Sequence, residues 1–218
     1  DIQLPADQRE FLQEIYKVNP NIIVVLVAGS SLAINWMDEH IPAIVNAWYP
    51  GEQGGTAVAE VLFGDYNPAG KLPVTFYRNV SQLPDFEDYN MTGRTYRYMQ
   101  DVPLFPFGYG LSYTTFGYGK TVFDKNELTA GQSLKLTVPV TNTGKRNGEE
   151  VVQVYLRKQG DAEGPIKTLR AFKRVSIPAG KTVNVEFDLK DKELEWWDDQ
   201  SNTVRVCPGN YDIMVGLS

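Results

Sequence analysis

The chain carries two different periodicities of apolar and polar residues, and the change falls near residue 118. In the first part Leu4, Gln8, Phe11, Leu12 and Ile15 recur at helical spacing, and Pro5 suits a first turn, so a helix of about three turns is expected. Asn19-Pro20 ends it. Residues 21–28 then form a continuous apolar, β-branched run, the pattern of a parallel-sheet strand buried on both faces. Gly29-Ser30-Ser31 turns the chain, and residues 43–49 read as a second buried strand. Pro50-Gly51-Glu52-Gln53-Gly54-Gly55 leads into a helix carrying Val58, Val61, Leu62 and Phe63. Asn67-Pro68-Ala69-Gly70 turns into a third expected strand at 72–77, and this alternation of elements is α/β.

Beyond residue 118 the period becomes two. Residues 133–140 and 182–189 alternate apolar with polar, as half-buried antiparallel strands do. Further strands are expected at 150–158, 168–175, 204–207 and 211–217, with turns at Asn142-Thr143-Gly144, Pro178-Ala179-Gly180 and Pro208-Gly209-Asn210. Many short strands in about a hundred residues indicate an all-β sandwich. Tyr155, Phe172, Phe187 and Tyr211 alternate with polar neighbours and read as its core. Residues 78–117 hold many aromatics and prolines and little periodicity, which suits an ordered connector. The expected organisation is therefore 1–80 as part of an α/β domain, 81–118 as connector and 119–218 as the β-sandwich. Three parallel strands with one or two helices leave open sheet edges, so further polypeptide is expected to complete the first part.

Composition narrows the function classes. The 218 residues carry a formal charge of −6, which disfavours binding to a polyanion such as nucleic acid. No apolar run is long enough to span a membrane. Asp1-Ile2-Gln3-Leu4-Pro5 has no signal-peptide pattern, so a signal for an exported protein would lie outside this sequence. Cys207 is the only cysteine, which rules out an internal disulfide, and its strand-like setting argues against a nucleophile. His40 has no companions for a metal site and the acidic residues form no calcium-loop pattern, so no metal or other cofactor is implied. Ser30 and Ser31 follow a strand without a Gly-x-Ser-x-Gly elbow and read as turn or cap residues. Asn79-Val80-Ser81 and Asn90-Met91-Thr92 are acceptor patterns for glycosylation that matter only in a secretory eukaryote.

Six segments carry a resemblance. Trp48-Tyr49-Pro50-Gly51-Glu52-Gln53-Gly54-Gly55-Thr56-Ala57, then Leu62-Phe63-Gly64-Asp65-Tyr66-Asn67-Pro68-Ala69-Gly70-Lys71-Leu72-Pro73, then Pro106-Phe107-Gly108-Tyr109-Gly110-Leu111-Ser112-Tyr113-Thr114-Thr115-Phe116 resemble, in order, the C-terminal half of glycoside hydrolase family 3. Downstream, Gly148-Glu149-Glu150-Val151-Val152-Gln153-Val154-Tyr155, with Leu169-Arg170-Ala171-Phe172 and Pro208-Gly209-Asn210-Tyr211, looks like that family's fibronectin type III-like domain. The resemblance implies exo-acting hydrolysis of terminal β-linked sugars with retention, using an aspartate nucleophile from a barrel domain and a glutamate acid/base from the α/β sandwich. In the family that glutamate precedes a Leu-Pro-x-x-Gln segment. Leu4-Pro5-Ala6-Asp7-Gln8 matches this segment, so the acid/base is expected just upstream of Asp1 and no catalytic carboxylate within the chain.

The same resemblance frames the remaining candidates. Glu52 lies just past an expected strand's carboxyl end, where open α/β sheets place ligands, and reads as either a sugar contact or a helix-start acid. Arg94 and Tyr96, beside Arg97 and Tyr98, combine planar donors with aromatic faces and suit a sugar subsite or a clamp on the connector. Glu193, Glu195, Asp198 and Asp199 flank Trp196 and Trp197, read as a packing pair with a solvated acidic rim. The Gly93-Arg94-Thr95-Tyr96-Arg97-Tyr98 surroundings resemble the β-xylosidase branch more than the β-glucosidase branch. The partners implied are an oligosaccharide substrate and an upstream catalytic barrel polypeptide, and a homodimer stays open. A periplasmic or extracellular setting is expected. The fibronectin-like part is expected to be a structural brace, with polysaccharide binding as the alternative.

Overall fold

Pro5 stands at the cap of helix α1 (Ala6–Val18), whose last turn closes when the Asn19 N–H donates to the Ile15 carbonyl at 2.9 Å. Asp7 in the first turn and Lys17 in the last complement the helix dipole. The computed structural model describes residues 1–216, and the chain divides into two units. The first comprises Asp1–Tyr66 and Leu72–Phe107, the second Asn67–Lys71 and everything from Gly108 onward.

In the first unit, strand β1 (Ile23–Leu26) is followed by helix α2 (Asn35–His40) and strand β2 (Ala43–Asn46). The two strands pair in parallel, from Ile23 opposite Ala43 to Leu26 opposite Asn46. Helix α3 (Gly54–Phe63) follows and stops at Gly64, whose φ of 81° only glycine adopts without strain. Leu26, Ile34, Met37, Ile41, Phe76 and Leu104 make the core, with Leu12 and Tyr16 of α1 packed against it.

Three expectations are corrected here. Residues 72–77 form no strand, and only Phe76 makes an isolated antiparallel bridge, to Phe105. Pro73 removes a ladder donor from this run. Second, β1 is not buried on both faces in this unit, where Ile23 and Val27 are exposed. Its sheet has two strands, so each face of β1 has few neighbours. Third, the stripe of α1 that faces inward is Leu12 and Tyr16, while Phe11 is 69% exposed and Ile15 is also exposed. The helix carries apolar residues on two sides, and Phe11, Ile15 and Val18 share the outer one.

The connector continues through a 3-10 turn at Val80–Gln82 and a one-turn helix α4 (Thr95–Tyr98). The Asn79 side chain accepts from the Ser81 N–H at 3.0 Å and starts the first of these.

The second unit is a two-sheet sandwich. In chain order its elements are β3 (Phe116–Tyr118), β4 (Val122–Phe123), β5 (Leu134–Asn142), β6 (Gly148–Lys158), β7 (Thr168–Ile177), β8 (Thr182–Leu189), α5 (Asp191–Leu194), β9 (Trp196–Asp198), β10 (Thr203–Arg205) and β11 (Tyr211–Gly216). Strand β5 is the centre of one sheet, with β3 and β4 on one edge and β8 on the other. Strand β6 is the centre of the second, between β11 and β7, and β9 with β10 forms a separate ribbon. Residue 217, the expected end of the last strand, lies outside the described residues.

The alternation read from the sequence sets the core. Leu134, Leu136, Val138 and Val140 of β5 face Val152 and Val154 of β6, joined by Val185, Phe187 and Leu189 of β8. Each such side chain contributes about 1.5–3 kcal/mol on full burial. Tyr155 and Phe187 are buried as expected, but Phe172 is 68% exposed. Its partner across the ladder is Gln153, which has the opposite parity to Val152 and Val154, so Phe172 falls on the outer face. A bulge at Val154/Tyr155 shifts the register beyond that point, which the sequence pattern does not announce.

Asn67 ties segment Asn67–Lys71 to the sandwich at its first residue. The Asn67 amide donates to the Asn147 carbonyl at 2.9 Å, and its carbonyl accepts from the Ser112 hydroxyl and the Tyr113 N–H, both at 2.8 Å. Asn67→Ala strands these partners and is expected to lower unfolding stability by about 1–3 kcal/mol in urea titrations. Thr114 and Asn142 make a similar buried contact at 2.5 Å, and Asn142 also donates to the Arg146 and Ile177 carbonyls.

Candidate functional site

In the first unit the carboxyl ends of β1 and β2 lie together. The Ala47 N–H donates to the Leu26 carbonyl at 2.8 Å, and a Cβ on Gly29 would meet Tyr49 Cε2 at 2.5 Å. Gly29 therefore admits the tyrosine ring against the turn after β1. Trp48, at φ 53°, turns inward and meets Phe76 edge to face at 6.2 Å. Tyr49 and Glu52 remain exposed at this rim. Glu52 lies in the turn before Gln53, the cap of α3, and makes no ion pair among the described residues. Ser30 lies in the bend after β1 and Ser31 in the coil that follows it.

Arg94 and Tyr96 flank Thr95, whose φ of 57° is strained for a β-branched residue. The Arg94 guanidinium donates to the Asn90 carbonyl at 2.7 Å and also to the Asp88 carbonyl, closing its own loop. The Tyr96 ring stacks on Phe107 at 4.2 Å, and the Tyr77 hydroxyl accepts from the Thr95 N–H at 3.3 Å. The Arg97 guanidinium lies 5.5 Å over the Tyr98 ring. The loop thus holds aromatic and guanidinium planes together, with Arg94 engaged through Nε and Nη2 to its own loop carbonyls.

The other candidates have structural settings. His40 stacks on Trp36 at 4.7 Å, with Nδ1 2.8 Å from the Trp36 carbonyl. Cys207 is buried beside Trp196. Trp196 is buried and donates to Asp161 at 2.6 Å, whereas Trp197 is 49% exposed and donates to Asp199, so the two tryptophans are not a packed pair. Arg205 and Ser201 bond the Asp198 carboxylate, and the Ser201 and Arg205 hydrogen bonds hold its pKa below the usual range.

The sequence reading missed a buried ionic group in the second unit. Lys71 Nζ lies 3.4 Å from Glu150 Oε1, with the two side chains only 8% and 2% exposed. Lys71 also donates to the Gly110 carbonyl at 2.9 Å, and the Tyr118 hydroxyl donates to Glu150 at 3.2 Å. Burial, then the Glu150 charge, push the Tyr118 phenol far above its usual range. Glu150 shares the parity of Val152 and Val154, so a charged residue at an inward position was the available signal. Its carboxylate is closed off from solvent, with Lys71 and Tyr118 both against Oε1, and is inaccessible to substrate.

Tyr211 donates its hydroxyl to the Cys207 carbonyl at 2.9 Å, and burial pushes its phenol up to about 12. Both Tyr118 and Tyr211 stay protonated in the folded chain after an unfolded tyrosine, near 10, has lost its proton. Their contribution to stability is complete below about pH 10 and declines as the pH rises from there. Urea titrations at pH 8 and 11 should show this loss, and the Tyr118→Phe/Tyr211→Phe chain should show a smaller one.

Along the chain, a unit built on a two-stranded parallel sheet is followed by a two-sheet antiparallel sandwich. The model of the glycosyl hydrolase family 3 C-terminal domain matches residues 1–113, and that of the fibronectin type III-like domain matches residues 150–218. The chain belongs to glycosyl hydrolase family 3. It is 52% identical over 217 residues to a xylan 1,4-beta-xylosidase of Xylanibacter ruminicola, covering 100% of this chain and 25% of that protein. A beta-xylosidase of Formosa agariphila is 42% identical, again over 100% of this chain and 31% of its own length. Among solved structures, a β-glucosidase from Erythrobacter marinus matches with a TM-score of 0.86 and 40% identity, over 99% of this chain and 29% of that one. The chain thus spans about a quarter to a third of these relatives.

Proposed function

We propose that these residues form the C-terminal part of a retaining, exo-acting β-xylosidase that removes terminal β-linked sugars from plant-type oligosaccharides. The observation that carries the reading is the 52% identity, over the whole chain, to a protein named as a xylan 1,4-beta-xylosidase. Retention requires two carboxylates about 5 Å apart, one attacking the anomeric carbon and one protonating the leaving oxygen. In this reading both come from polypeptide outside these residues, the nucleophile from a catalytic barrel, and the chain alone does not turn over glycosides. The exposed apolar side chains Phe11, Val18, Val27 and Phe63, the last at 84%, support a further polypeptide packing on the first unit. Glu52, Arg94 and Tyr96 are proposed as contacts for substrate hydroxyls or rings. Functionally the chain is proposed to divide into 1–80, 81–118 and 119–218.

A second reading, a β-glucosidase of the same family, is favoured by the solved β-glucosidase that is 40% identical over nearly the whole chain. The complete enzyme containing these residues distinguishes them when assayed on p-nitrophenyl β-xyloside and β-glucoside. The xylosidase reading expects kcat/KM at least about tenfold higher on the xyloside. The reverse preference selects the glucosidase.

A further inference from the structure

The end of the sandwich remote from Asn67–Lys71 is open. Strand β5 begins there at Leu134 and β6 ends there beyond Leu156, so the inner faces of the two sheets part around a cleft of about 800 Å³. Ligand sites commonly measure about 300–1,000 Å³ and join apolar walls to a few convergent polar groups. The floor consists of Leu134, Leu156 and Ile213, continuous with the sandwich core, and Tyr211 forms one wall.

The rim is polar on both sides. Asn126 and Gln132 rise from the loop between β4 and β5, and Gln159 and Asn210 face the cleft from the turns beside β6 and β11. Several of these groups are already oriented. The Gln132 Oε1 accepts from the Thr129 N–H at 3.1 Å, which leaves its Nε2 to donate elsewhere. Gln159 Nε2 donates to Asp212 at 2.6 Å, leaving its Oε1 to accept. Three carboxylates, Glu127, Asp191 and Asp212, stand against one ammonium, Lys125, so the cleft repels anions.

A sugar hydroxyl both donates and accepts, and planar amides and carboxylates are the side chains that match it. The carbon–hydrogen face of a sugar ring is apolar and suits the floor. We propose that this cleft binds a short, neutral β-linked oligosaccharide without hydrolysing it. The saccharide class rests on the glycosidase reading above, whereas the location and the neutrality of the ligand rest on the cleft.

Titration of the 218-residue chain with xylotetraose tests this. Saturable binding is expected, with shifts of the Leu156 and Ile213 methyl resonances that line the floor. Asn126→Ala/Gln132→Ala, at two exposed positions, is expected to weaken binding by about tenfold or more with an unchanged thermal unfolding transition. Trp197→Ala, outside the cleft, should leave affinity unaltered. The proposal is overturned if xylotetraose does not bind, if it binds without moving those methyl resonances, if Trp197→Ala and not the double variant abolishes binding, or if spermidine binds in its place. A complete enzyme that cleaves xylosides while this chain ignores xylotetraose sinks the cleft proposal and leaves the glycosidase reading standing.

Discussion

Replacing Lys71 by Ala, or Glu150 by Ala, is expected to lower the unfolding free energy by about 3–5 kcal/mol, because either change leaves the other charge buried without its counterpart. The pair is closed from water and tied further by the Gly110 carbonyl and the Tyr118 hydroxyl. Lys71→Met/Glu150→Leu removes both charges at similar volume and should recover most of the loss. The exposed pair Arg174–Glu149 is the control, where Arg174→Ala costs at most about 1 kcal/mol. Urea denaturation of each variant, followed by near-ultraviolet circular dichroism, gives these values. Equal, small losses at Lys71 and Arg174 would show that the buried pair does not hold segment Asn67–Lys71 on the sandwich.

The second large effect is expected at Gly110. A Cβ there would lie well inside van der Waals contact of the Gly70 carbonyl oxygen and 3.2 Å from Lys71 Cδ. The obstacle is backbone in a segment already fixed by Asn67, so it cannot swing aside as a flexible side chain would. Gly110→Ala should therefore destabilise the second unit by about 3 kcal/mol or more, at the upper end of overpacking costs. Gly55, in α3 with nothing within 4 Å of its Cβ position, provides the contrast. There Gly55→Ala should stabilise by up to about 1 kcal/mol through helix propensity. The same urea titrations compare the two.

These effects show why part of the fold was legible in the sequence and part was not. The alternation of Leu134, Leu136, Val138 and Val140 fixes which face of β5 is buried, because side chains reverse at every residue along a strand. Helix α1 was equally visible from its spacing, although two apolar stripes made its inward face ambiguous. Short elements escaped notice: α2 has six residues and β4 has two, too few for a period to register. Residues 72–77 look like a strand in composition, yet pairing depends on a neighbour that sequence does not reveal. Phe172 was misread because its face is set by its cross-strand partner Gln153, on the side opposite Val152 and Val154, and that pairing is not visible in the sequence of β7 alone.

The candidate site was legible mainly through resemblance. Motifs at residues 48–57, 62–73 and 106–116 pointed to family 3, and the family match covers the first two and the third as far as residue 113. The roles of their residues were less visible. Asn67, Lys71 and Gly110 look like turn residues in isolation, and their task appears only when they meet Ser112, Glu150 and Gly70, contacts that join separated stretches of chain. Glu52 stands at the rim beyond the parallel strands, and Arg94 and Tyr96 sit in a loop rigid enough to present planar groups.

The most direct test of the functional account is hydrolysis of p-nitrophenyl β-xyloside by this 218-residue chain beside the complete enzyme at equal molarity. The account predicts turnover by the complete enzyme and no nitrophenol release above the buffer control from the chain alone. Turnover by the chain at an enzyme-like rate, on the order of 1 s⁻¹ or faster, would contradict it, because a catalytic carboxylate pair would then have to lie within these residues.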